Sequence, residues 1–118
     1  MGPQEIVSEY LRTHFFVLKN ETMICYIIFS PSISQYYVGI TTELVETRLL
    51  KHNEAFYGQS FTSKVNDWLI YLEIPFECTR QMFQIEKHIK RMKSKIYIEN
   101  LKKYPEIIDK LKEKYSCN

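Results

Sequence analysis

Apolar side chains along this chain recur in two rhythms, and the switches between them mark its elements. "MICYIIF" at 23–29 is an unbroken apolar run rich in β-branched and aromatic residues. It predicts a strand covered on both faces. "SPSISQ" is a loop by its Ser and Pro content, and "YYVGI" at 36–40 is a second strand. So short a connection favours an antiparallel hairpin. Pairing symmetric about the loop sets Phe29 opposite Tyr36, Ile28 opposite Tyr37 and Tyr26 opposite Gly39. Side chains alternate along a strand, so Tyr26, Ile28, Tyr37 and Gly39 then share one face. Gly39 leaves room there for the Tyr26 ring or a ligand.

Elsewhere the spacing is helical. "TTELVETRLLKHNEAF" at 41–56 predicts a helix with Thr41 or Thr42 as its cap. Glu43 and Glu46 stand at the positive end of its dipole, and Val45, Leu49 and Phe56 form its apolar stripe. Arg48 and His52 fall one turn apart on one side. "YGQSFTSKVND" is a loop, and "WLIYLEI" is a third strand stopped by Pro75. "TRQMFQIEKHIKRMKSK" is a helix capped by Thr79, with a stripe of Met82, Ile85, Ile89 and Met92 that Glu86 borders. "IYIENLKKY" makes a short helix and "PEIIDKLKEKY" a last one, with Pro105 near its first turn. Ahead of the first strand, Ile6, Tyr10, Leu11 and Phe15 have helical spacing. Residues 1–22 therefore read as a helical extension docked on one domain at 23–118. The fold expected is α+β: a three-stranded antiparallel sheet flanked by helices.

Composition narrows the class. A chain of 118 residues, 45% hydrophobic and 25% charged, has the size and balance of one globular domain. No apolar run reaches the roughly 20 residues of a membrane span. The start is acidic and mixed, unlike a secretory leader. A cytoplasmic location without membrane contact is expected. Cys25, Cys78 and Cys117 are odd in number and far apart, which fits a reducing compartment and argues against a disulfide framework or a thiolate zinc site. Cys25 and Cys78 read as small buried hydrophobes. His14, His52 and His88 lack metal-ligand spacing.

Charge adds a direction. Net charge is only +2, but residues 1–79 balance at −4 and residues 80–118 at +6. A basic third on a near-neutral chain is a footprint for a polyanion, or else a solvated lysine-rich face.

Two tyrosine-bearing strands, a helix with Arg and His, a third strand and a helix with Glu form an ordered set. That set resembles the GIY-YIG endonuclease superfamily, most of all its small stand-alone members. "ICY" at 24–26 stands where such proteins have GIY, and "YVG" at 37–39 stands for YIG. "RLLKHN" at 48–53 resembles the helix with the family's Arg. "IEKHIKRMKSKIYIENL" resembles the stretch with its metal-binding Glu, here Glu86. Thr62-Ser63 resembles a "TS" segment of some members. Ile24 and Cys25 replace the small residues of the first motif, and the helix is one residue longer between Gly39 and Arg48 than the usual spacing. Ile40 stands where related repair nucleases can have Lys, leaving Lys51 or Lys64 to compensate.

The resemblance implies hydrolysis of DNA phosphodiesters, with RNA left open, using one divalent ion, Mg²⁺ or Mn²⁺. Glu86 would be the only protein ligand, with waters and a phosphate completing the shell. Arg48 would bind a non-bridging oxygen. Tyr37 would take the proton from the attacking water, and Tyr26 would orient water or phosphate. A phenol ordinarily titrates near 10, so such a base needs positive charge nearby. His52, with an ordinary pKa suited to proton transfer, would assist. Lys87, Lys90, Arg91, Lys93 and Lys95 would hold backbone phosphates, joined by Lys51, Lys64 and Asn100, with DNA across the tyrosine-bearing face. No added recognition module is visible, so cleavage would be structure-selective or weakly sequence-specific, by a monomer or weak homodimer. The rivals are a binding module without turnover and a protein-interaction domain. Taken singly, each of these residues has an ordinary structural reading.

Overall fold

The computed structural model of the chain describes residues 23–55, 58 and 60–117. The extension expected over 1–22, and Phe56 of the predicted helical stripe, lie outside these residues. Three strands form one antiparallel sheet in the order β2-β1-β3: β1 Met23–Ser30, β2 Gln35–Thr41 and β3 Leu69–Phe76. The hairpin register is the one anticipated, with Phe29 opposite Tyr36, Ile28 opposite Tyr37 and Tyr26 opposite Gly39. Cys25, Tyr26, Ile27 and Ile28 are all buried, as a central strand covered on both faces requires. Asp67 fastens the hairpin from outside. Ser30 Oγ donates to Asp67 Oδ1 at 2.6 Å and the Ser32 N–H to Oδ2 at 2.9 Å. The Ser30 hydroxyl, with the Ser32 donors, holds this carboxyl below its usual range against the burial that raises it.

Strand β3 runs through Pro75 rather than stopping before it, and Pro75 pairs opposite Ile24. Among the described residues β3 is an edge strand, and an edge strand tolerates proline where its missing N–H would face away from the ladder. The β1–β3 register shifts between Ile27 and Ile28, leaving Tyr71 as an extra residue.

Four helices follow: α1 Val45–Asn53, α2 Thr79–Met92, α3 Lys95–Lys103 and α4 Glu106–Lys114. Helix α1 starts later than the sequence suggests. Thr41 finishes β2, and its Oγ1 accepts from the Glu43 N–H at 2.8 Å. The position before α1 is Leu44, which makes no side-chain cap. A 3-10 turn, Phe61–Lys64, interrupts the loop before β3.

Helix α1 and this turn cover one face of the sheet, around Tyr26, Ile28, Val45 and Trp68. Helices α2, α3 and α4 cover the other, around Cys25, Ile27, Val38, Ile74, Met82, Ile85 and Ile89. Met92, the fourth member of the expected α2 stripe, is instead exposed at the helix end.

The cysteines require a correction. Cys25 is a free buried thiol, but Cys78 is bonded to Cys117 with 6.0 Å between their Cα atoms. The start of α2 and the end of α4 lie side by side, and Gln81 Nε2 donates to the Lys112 carbonyl at 3.3 Å. Antiparallel packing joins two cysteines 39 residues apart, which spacing alone does not reveal. Cys78 also takes the capping role expected of Thr79, its Sγ accepting from the Gln81 N–H.

Candidate functional site

Tyr26 is fully buried in the middle of β1. Its hydroxyl lies 2.7 Å from Nε2 of His52 on α1. The other imidazole nitrogen, Nδ1, lies 2.6 Å from Oγ1 of Thr62 in the 3-10 turn. Gly39 makes this arrangement possible: a Cβ there would stand 2.6 Å from the Tyr26 ring carbon Cζ and from its hydroxyl. Asn53 locks the far side, donating from Nδ2 to the Trp68 carbonyl at 3.0 Å and accepting at Oδ1 from the Trp68 N–H at 2.7 Å. Trp68 in turn donates from its indole nitrogen to the Thr62 carbonyl at 2.8 Å. One helix end, one turn and one strand start are thus tied around a single imidazole.

Burial, and then the Arg48 charge, push His52 down to about 4. It is a neutral ring at neutral pH, not the freely titrating histidine the sequence suggests. A neutral imidazole donates from one nitrogen and accepts at the other, so Tyr26, His52 and Thr62 form a directional hydrogen-bond chain.

Arg48 stands one turn before His52, its guanidinium carbon 5.9 Å from the Tyr26 ring centre. The Tyr37 ring lies 5.1 Å from His52 and 6.4 Å from Tyr26. Glu43, noted in the sequence only for its place near a helix start, is the local counter-ion. Its carboxylate meets Arg48 at 3.8 Å and Lys51 at 3.1 Å.

Glu86 comes from the other side. It rides on α2, against the face that holds Cys25, whose thiol is pushed up to about 12 by burial and then by the Glu86 charge. The Glu86 carboxylate is largely covered and meets Lys90 Nζ at 2.9 Å. Its neighbours one turn away line two surface depressions. Met82 and Phe83 join Ile40, Glu43 and Arg48 around a space of about 430 Å³. Ile89 and Lys90 join Tyr36, Tyr37, Lys93 and Lys95 around one of about 360 Å³. Glu86 itself lines neither hollow; along α2 it falls between residues of the one with Arg48 and residues of the one with the half-buried Tyr37.

Tyr26, Tyr37, Arg48 and His52 are brought together under α1, and Lys90, Lys93 and Lys95 gather beside Tyr37. Lys51 is held by Glu43, and Lys64 lies 4.8 Å from the Phe61 ring. Lys87 and Arg91 are exposed on α2 and Asn100 is half-buried on α3, and none of the three lines either hollow. Nucleic acid cannot lie flat on the tyrosine-bearing face, because α1 and the 3-10 turn cover it and Tyr26 has no exposed surface. Thr62, Asn53 and Glu43 are the contributors that sequence reasoning missed; only Thr62 left a signal, in the Thr62-Ser63 segment.

The donor set suits a hard cation. Among the described residues no three His, Cys, Asp or Glu gather into a ligand cluster, so a closed zinc-type set is not what these side chains offer. Glu86 offers one largely covered carboxylate, and Mg²⁺ keeps most of its waters and takes few protein ligands. No helix among the described residues is long and apolar enough to cross a membrane.

The family model for the GIY-YIG catalytic domain matches residues 22–104. No curated protein and no solved structure matches the chain. With this match over more than half of the chain, on the expected three-stranded antiparallel sheet flanked by helices, the chain belongs to the GIY-YIG family, whose members are generally nucleases.

Proposed function

We propose that this chain is a divalent-metal-dependent endonuclease that hydrolyses DNA phosphodiesters along the outer edge of β2. One observation carries the reading: Glu86 pairs with Lys90, which lines the hollow with Tyr37, and rides one turn of α2 from Met82 and Phe83, which line the hollow with Arg48. A phosphodiester at this edge would meet positive charge from both hollows. Arg48 turns its planar fork toward a non-bridging oxygen, giving up part of its long 3.8 Å contact with Glu43. Tyr37, half-buried at the edge, takes the proton from the attacking water, with Lys90 lining the same hollow. Tyr26 is too deep to touch water. It is a positioning residue that holds the His52 ring and supports Arg48 from below. Glu86 would hold one Mg²⁺ or Mn²⁺ after releasing Lys90, and the ion would supply charge neutralisation on the phosphate.

The phosphate-holding lysines position a substrate without reading its sequence, so cleavage is structure-selective or weakly specific. The test is nicking of supercoiled plasmid with Mg²⁺ or Mn²⁺ and with chelator. Arg48→Ala should lose on the order of 10²–10³ in rate, the loss typical of a preorganised donor, and Glu86→Ala should lose all metal-stimulated cleavage. Binding without cleavage on plasmid, branched and single-stranded DNA would replace this reading with that of a binding module without turnover. Metal-independent cleavage would remove Glu86 from the role given to it.

A further inference from the structure

We propose that the hollow beside Tyr37 is a nucleotide pocket, taking one unpaired nucleotide of the substrate with its base on the apolar floor and its phosphate on the lysine rim. The inference rests on the nuclease reading above and narrows it to nucleic acid with an unpaired residue next to the cut.

The space, about 360 Å³, is at the small end of ligand pockets, which run from roughly 300 Å³ upward. Its floor is Val38, Ile89 and Ile98, three buried aliphatic side chains from β2, α2 and α3. A phosphate alone has no use for such a floor, whereas the flat face of a base does. Tyr36 supplies an aromatic wall that is already fixed: its hydroxyl donates to Glu99 Oε2 at 3.2 Å and its ring packs edge-on against Tyr71 at 5.0 Å. Aromatic walls with lysines at the mouth are the usual means of holding an unstacked base and its backbone. A paired base inside a duplex shows only its edge and cannot reach a recess of this kind. Among the described residues, the β2 edge bordering the hollow has no strand on its outer side, and such an edge carries unpaired backbone donors and acceptors.

The lysine rim carries a second sign of use. Lys93 sits at the end of α2 with φ +48°, in the left-handed region where glycine is the least strained residue. Its side chain lines the hollow, and the left-handed turn leads straight into Ser94, which caps α3. Backbone strain of this kind is characteristic of positions that serve binding.

The test is fluorescence anisotropy with the full wild-type chain, in chelator to stop cleavage and at low fixed salt. Three labelled DNAs matched in phosphate count are compared: a blunt duplex, a duplex with one unpaired nucleotide, and the same with an abasic residue at that site. The unpaired nucleotide should improve affinity about tenfold over the duplex, the scale of one stacked base, and the abasic substitution should return it to within about twofold. Lys93→Gly, which relieves the left-handed strain and so keeps the fold, should cut the preference to below about threefold while its thermal midpoint holds or rises. Equal binding of abasic and intact substrates would overturn the pocket and leave only phosphate contact. Duplex binding with no preference would overturn it too, while the nuclease reading survives if plasmid nicking is intact. Absence of any DNA binding would remove both.

Discussion

Cys25 and Tyr26 are neighbours in β1 and both are fully buried, yet they face different surroundings. Cys25 points into an aliphatic layer where Ile27, Ile74, Ile85 and Ile89 meet. Tyr26 points into a layer of similar depth that also holds His52, Thr62 and a cation. Apolar contact is tolerant of small shifts, since aliphatic side chains can slide and refill. A hydroxyl set 2.7 Å from an imidazole is not, because a buried polar group that loses its partner costs about 1–3 kcal/mol. The layer under α2–α4 therefore tolerates small shifts, whereas the layer under α1 fixes the places of Tyr26, His52 and Thr62.

The sharpest break of this contrast is on the aliphatic side. Ile85→Ala should cost about 2–5 kcal/mol by leaving a cavity under α2, measured by urea unfolding. Cleavage by the molecules still folded should change little, provided α2 keeps its place. A loss of rate in the folded fraction larger than the loss of stability would erase the division between the layers.

Next comes the pH response of the polar side. His52 binds its proton more weakly in the folded state, at about 4, than in the unfolded chain, near 6.5. Below about 6.5 the unfolded state takes up more protons, so stability falls as pH drops toward 4 and levels off beneath it. The whole span is up to about 3 kcal/mol. His88 is also held down by burial, then by Lys114 and Arg91, so the wild-type curve contains both. Unfolding curves of wild type and His52→Gln between pH 4 and 8 share His88, and their difference should carry the His52 slope. A variant curve parallel to wild type throughout would contradict the neutral, buried imidazole.

Gly39→Ala gives the smallest of the three effects, about 2 kcal/mol, because a methyl must push β2 away from the Tyr26 ring. Pairing it with Tyr26→Ala makes the comparison specific. The double variant should be less destabilised than the sum of the two single ones, since the ring that the methyl strikes is gone. Additive losses would place the strain elsewhere in β2.

Much of this arrangement is written locally. The hairpin register follows from a short loop between two apolar runs, and alternation then puts Tyr26, Tyr37 and Gly39 on one face. The burial of Met82, Ile85 and Ile89 follows from a helical stripe. What stayed hidden depends on contacts between distant segments. The His52 shift needs the depth that α1 reaches over the sheet, and the Thr62 role needs the 3-10 turn folded back onto it. The pairing of Cys78 with Cys117 needs two helix ends to meet. Pro75 misleads because a sequence does not say which strand will be at an edge. Of the candidate site, the order of the tyrosines, Arg48 and Glu86 in the sequence is enough to propose them as a set, whereas the ion pairs Glu43 with Arg48 and Lys90 with Glu86 leave no such signal.

The Cys78–Cys117 bond also divides the molecule in a covalent sense. It closes a ring of chain that contains α2, α3 and α4, and with them Glu86 and the lysines at 90, 93 and 95. Tyr26, Tyr37, Arg48 and His52 all lie outside that ring. A single protease cut anywhere inside it leaves one connected polypeptide until a reductant is added, whereas a cut between α1 and β3 releases the tyrosines and the arginine from the glutamate at once. The carboxylate that would share one phosphodiester with the aromatic groups thus lies in a covalently closed piece of chain and they lie in an open one.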